Sequence, residues 1–174
     1  MVKNESVYKC GEILLETTIR EYESEKNRTS VIDSKTNIVI SLTAICFIAI
    51  TETIDLNRLL SINSSSFATI LLVAILFISI VSSVIFAFLA LIFFLRVIFT
   101  KEYKTIDSTY FYDINKLKVE PQLFSIALSQ FYVEATIVNT NANDKRICNY
   151  KRGMIFLIVS ITTYTLHIGL LSFI

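Results

Sequence analysis

"SFATILLVAILFISIVSSVIFAFLALIFFL", residues 66–95, contains no charged side chain, no glycine and no proline. Roughly 20 apolar residues carry a helix through the hydrocarbon core of a bilayer. The run is ample for one crossing and too short for two, and it has no residue that would make the turn between them. It predicts one long helix that leaves the headgroups near Arg96 and ends near Thr105. With it the chain reads as an all-α integral membrane protein.

Working outward, residues 153–174, "GMIFLIVSITTYTLHIGLLSFI", form a second span that runs to the end of the sequence. Upstream, residues 37–51, "NIVISLTAICFIAIT", are shorter. Alone they would suit a buried core helix; beside two stronger spans they read as a third. The composition agrees: hydrophobic residues make up 53% and mean hydropathy is +0.61, above what a soluble core requires. Only 3 glycines and 1 proline punctuate the chain, which favours long helices.

Lysine and arginine set the expected orientation. Six precede the first span (Lys3, Lys9, Arg20, Lys26, Arg28, Lys35), one (Arg58) lies in the 52–65 loop, and nine lie between Arg96 and Arg152. Cytoplasmic loops collect basic residues. Residues 1–36 and 100–152 are therefore expected in the cytoplasm, with the 52–65 loop and the C-terminus outside. The Asn63 sequon in that loop carries no weight. The first 36 residues are polar, with no secretory leader expected. A net charge of +1 gives no field for nucleic acid, and none is expected as a partner.

The cytoplasmic parts read as helices. Within residues 5–30, Tyr8, Leu15, Ile19 and Tyr22 share a face, with seven acids and six bases spread over residues 1–36. Such a helix can lie at the headgroups or contact protein. Pro121 is suited to the first turn of another helix. From there Phe124, Leu128, Phe131, Ala135, Val138 and Ala142 recur at heptad spacing. This seam fits packing against the N-terminal helix, or a coiled coil between subunits.

Chemistry is sparse. Cys10, Cys46 and Cys148 are far apart, without metal-ligand spacing. No phosphate loop, zinc-protease or nucleophile-elbow pattern occurs, so neither an enzyme nor a cofactor site is expected. The single histidine, His167, lies inside the last span, where a polar group normally faces a partner or a cavity. Ser79, Ser83 and Ala87 form a small-residue stripe that lets helices approach closely. Ser160, Thr162, Thr163, Thr165 and His167 make a polar patch, as do Asn37, Ser41 and Thr43. These faces serve helix packing or, when several copies assemble, line a wet path, with Thr163 and His167 on its polar face. No inverted repeat or intramembrane carboxylate suggests a transporter. One internal echo pairs Tyr22…Asp33-x-Lys35 with Tyr132…Asn143-x-Lys145 at equal spacing.

The stretch "EYESEKNRTSVIDSKTNIVISL", residues 21–42, is an acidic helix with an arginine, then Asp-x-Lys opening a span. It resembles the SLATT-type and Pycsar-type transmembrane effectors of prokaryotic anti-phage defence. "FYVEATIVNTNANDKRICNYKRGMIF", residues 131–156, is similar to the return helix of bacterial membrane proteins with the same layout. The resemblance implies a small inner-membrane protein, homo-oligomeric and paired with a cytoplasmic sensor protein or a cyclic-nucleotide trigger, that depolarises the host on infection. Residues 100–150 hold no separate ligand-binding domain, which makes a protein trigger as plausible as a nucleotide. Arg28, Asp33 and Lys35 are the expected cytoplasmic switch. The rival reading is a membrane anchor whose cytoplasmic helices dock a soluble complex. A phage-type holin would share the lytic phenotype, yet needs no cytoplasmic region of this size.

Overall fold

The computed structural model describes residues 10–52, 67–100, 103–106 and 119–172. Three helices account for the regular structure among them: α1 (Gly11–Glu52), α2 (Phe67–Phe99) and α3 (Pro121–Leu171). All three are long and apolar enough to cross a membrane. At 1.5 Å per residue α1 is about 63 Å long and α3 about 77 Å, against roughly 30 Å of hydrocarbon. The expected boundaries at 36/37 and 152/153 are therefore not breaks in the backbone. Tyr8, Arg58, Asn63 and the 52–65 loop's interior lie outside the described residues.

The burial pattern explains why the helices associate. Along α1 the inward positions are Gly11, Thr18, Ile32, Thr36, Val39, Thr43 and Ile50, with half-buried residues filling the gaps at alternating steps of four and three. Along α2 they include Leu76, Ile80, Ser83, Ala87, Ala90, Phe94 and Val97, on the same alternation. A sustained seven-residue repeat keeps one stripe of each helix facing its neighbours. Hydroxyl, amide and small side chains hold many of these positions, and large apolar side chains point outward.

The described residues divide into two compact units. The first takes residues up to Asp33 together with those of 100–145; the second takes 34–99 and 146–174. In the first, α1 and α3 run parallel: the Tyr22 and Tyr132 rings meet edge to face at 5.5 Å. Near the helix starts, a Cβ on Gly11 would meet the Gln122 side chain at 2.7 Å and its backbone carbonyl oxygen at 2.9 Å, so only glycine permits this approach.

In the second unit Val39, Ala90, Phe94 and Leu157 form one core cluster and Ile50, Ile80 and Ala87 another. Here α1 and α3 are again parallel, with α2 antiparallel to both. The Phe94 ring lies directly on Gly153, where a Cβ would come within 2.6 Å of it. Phe86 and Phe93 stack on Phe156, and the Arg96 guanidinium sits over the Phe93 ring at 5.6 Å.

Two expectations need correction. Helix α2 ends at Phe99, short of Thr105. Side chains of α3 take over the backbone groups that a longer helix would have bonded itself. Arg146, wholly buried, donates from Nε to the Val97 carbonyl at 2.8 Å. In the first unit the Asn139 amide accepts from the Lys104 N–H at 2.9 Å and donates to the Lys104 carbonyl at 3.3 Å.

The second correction concerns the seam on α3. The helix does begin at Pro121. Its inward row, however, is Ser125, Ser129, Ala135, Asn139, Ala142 and Asn143. Of the expected residues Ala135 and Ala142 are buried, Phe124, Leu128 and Phe131 are half-buried, and Val138 is exposed. A shift of one residue turns the face by about 100°. The amides of Asn139 and Asn143 require partners that only the inward side supplies, and this outweighs burial of the longer apolar chains.

Candidate functional site

In the first unit Asn143, fully buried, is the centre of a polar network. Its Oδ1 accepts from the Tyr103 hydroxyl at 2.7 Å and from the Thr29 hydroxyl at 3.2 Å. Its Nδ2 donates to a Glu25 carboxylate oxygen at 2.8 Å and to the Glu25 backbone carbonyl at 3.2 Å. Both ends of the amide are thus used, close to the most an asparagine can make. Arg28 continues the network, donating to Glu25 Oε1 at 3.2 Å and to Asp144 Oδ1 at 2.7 Å. The hydrogen bond to Asp144, opposed by partial burial and aided by Glu25, raises the Arg28 pKa above its ordinary value and keeps the guanidinium charged.

Of the expected switch, then, only Arg28 joins this cluster. Asp33 is half-buried and is not without an interaction of its own, and Lys35 is exposed, with no ion pair to a described residue. Sequence reading missed Glu25, Tyr103, Asn139, Asn143 and Asp144. A signal existed: Glu25, Thr29, Ile32 and Thr36 on α1, and Asn139, Asn143 and Arg146 on α3, recur at steps of three and four. The echo that paired Tyr22 with Tyr132 also pointed here, since those two rings touch.

The second unit has its own polar interior. Ser83 and Ser160 face each other between α2 and α3, each donating to the other's backbone carbonyl, at 3.0 and 2.8 Å. Farther along, His167 is 2% exposed. Its Nδ1 lies 3.0 Å from Ser79 Oγ and 3.2 Å from the Leu76 carbonyl. A carbonyl only accepts, and the Ser79 hydroxyl already donates to that same oxygen at 2.8 Å. Tyr164 adds a bond from its hydroxyl to the Ala49 carbonyl at 3.1 Å.

Ser79, Ser83 and Ala87 are all buried, on the face where α2 meets the other helices. The expected polar patch on α3 is split. Ser160 and His167 point inward; Thr163 is half-buried; Thr162 and Thr165 are exposed. The three threonine hydroxyls donate to carbonyls of their own helix, so they spend their protons locally. Likewise Thr43 is buried while Asn37 and Ser41 are exposed. Among the described residues no group of histidine, cysteine and carboxylate side chains could hold a metal ion.

These observations define a class: an all-helical protein with three helices of membrane-spanning length and hydropathy, each lined on one stripe by small and polar side chains. Comparison with protein families, characterised proteins and solved structures gives no match.

Proposed function

We propose that this chain is a non-enzymatic membrane effector: copies assemble in the inner membrane and perturb it when a cytoplasmic trigger acts on the helices of the first unit. The observation that carries this reading is the buried line of Ser79, Ser83, Ser160 and His167 between helices of spanning length. Polar groups at such depth are costly and tend to accompany packing between helices or a path for water and ions. The Arg28–Glu25–Asn143 network would then be the responsive element, because exchange of its partners repositions α1 against α3 within that unit. The setting in anti-phage defence rests on the resemblance of residues 21–42.

Membrane potential and dye entry in bacteria expressing the chain test this reading. Depolarisation by the natural sequence, lost in Ser83→Phe at equal membrane abundance, supports it. Absence of depolarisation, with or without co-expressed neighbouring gene products, removes it. The anchor reading then takes its place. It draws on exposed apolar side chains in the first unit, Ile13, Val31 and Ile137 among them, and predicts harmless expression with a co-purifying soluble partner.

A further inference from the structure

A half-open cavity of about 180 Å³ lies within the first unit, lined by Tyr22, Lys26 and Thr29 of α1, Asn139 of α3, and Tyr103, Lys104 and Thr105 between α2 and α3. Its lining is mainly apolar, as two tyrosines and two lysine stems would supply. Most polar groups around it are already committed. Asn139 uses its amide on the Lys104 backbone, the Tyr103 hydroxyl donates to Asn143, and Thr29 bonds to Glu25 and Asn143. The Lys104 ammonium is paired with Glu134 at 2.6 Å. The nearby Glu25 carboxylate is held by Arg28 and Asn143. Among the described residues Lys26 makes no ion pair or hydrogen bond, so the charge on this lining that is left to a ligand is a single ammonium.

We propose that this cavity binds a small aromatic carboxylate, with its ring beside Tyr22 and Tyr103 and its carboxylate on the Lys26 ammonium. Size and chemistry select this class. An apolar cavity of about 150 Å³ accommodates a benzene ring, so this one holds a ring with a few further atoms and is too small for a nucleotide. A compact, strongly hydrated anion such as inorganic phosphate would meet one cation and a mainly apolar wall, and would not recover its hydration. One negative charge matches the one ammonium that the described lining leaves unpaired, and the flat body matches tyrosine faces.

Fluorine NMR titration of para-fluorobenzoate against the full chain in detergent tests the site, with para-fluorobenzamide as the uncharged counterpart. Saturable binding of the carboxylate is expected, weakened about tenfold or more by Lys26→Met, as loss of a charged hydrogen bond requires. Lys26→Arg should keep the affinity, and Lys35→Met, which is not among the lining residues, should not change it. Lys26 is exposed, so its replacement leaves the helices intact, which circular dichroism checks. Failure of the carboxylate to saturate, equal binding of the benzamide, or undiminished binding by Lys26→Met would each overturn the proposal.

Discussion

The two units share a stripe geometry and differ in what their interhelical bonds end on. In the first, side chains converge on side chains: Tyr103, Thr29 and Glu25 meet at Asn143, and Arg28 bridges Glu25 and Asp144. In the second, the crossings among the described residues mostly end on backbone carbonyls, as those of Ser83, Ser160, Tyr164 and Arg146 do, while Thr43, Thr162, Thr163 and Thr165 bond back to their own helix. The outer faces differ as well. Helix segments of the second unit present Ile45, Ile70, Ile78, Phe88, Ile155 and Ile158 outward, with charge confined to the ends. A bond to a backbone carbonyl satisfies a hydroxyl without help from water or from a second side chain. Members of a side-chain network, in contrast, depend on one another.

That difference predicts where damage is greatest. Replacing Asn143 with leucine removes four bonds and leaves Tyr103 and Glu25 short of partners inside the first unit. A loss of about 2–3 kcal/mol is expected, the cost of stranding buried polar groups. Denaturant unfolding in detergent, followed by circular dichroism, measures it. Near-normal stability in Asn143→Leu would show that the first unit bonds as locally as the second, and the contrast would collapse.

Much of the fold was legible because hydropathy and helix length follow from the sequence alone: one helix covers the apolar run from Phe67, and another starts at Pro121. The small-residue stripe of Ser79, Ser83 and Ala87 was legible too, since close packing favours small side chains wherever the partner lies. On α3 the heptad reading holds Ala135 and Ala142, both buried, but passes over Ser125, Ser129, Asn139 and Asn143, because it rewards apolar side chains. Here asparagines at 139 and 143 determine the face, and their partners Lys104, Tyr103 and Glu25 are remote in sequence. Nor could spacing reveal that Arg146 would turn inward to cap α2, because that bond needs the Val97 carbonyl in place.

A smaller effect is expected from the serine pair. Ser83 and Ser160 each donate one bond to the other's carbonyl, so the two bonds are separable. Each alanine replacement should cost about 0.6 kcal/mol, typical for hydrogen bonds between membrane helices, and the double replacement about twice that. Thr162→Ala, exposed and bonded only to its own helix, serves as the unchanged reference. If the double variant lost as much as Asn143→Leu, the second unit would depend on its crossings after all.

The smallest effect belongs to Arg28, although it makes two ion pairs. Its side chain is 37% exposed and that of Asp144 61%, so solvent screens the attraction. Arg28→Met should cost about 0.5 kcal/mol or less, and the loss should shrink in high salt. The pH dependence follows from the raised pKa. A group held protonated in the folded state contributes fully below its ordinary unfolded value and loses that contribution only as pH rises through the folded one. For an arginine this window lies above the mildly alkaline range. The stability difference between the natural chain and Arg28→Met should therefore stay constant from neutral to mildly alkaline pH, measured by unfolding at matched ionic strength. A difference that vanished on mild alkalisation would mean that another titrating group, not Arg28, supports the pairing of α1 with α3 in the first unit.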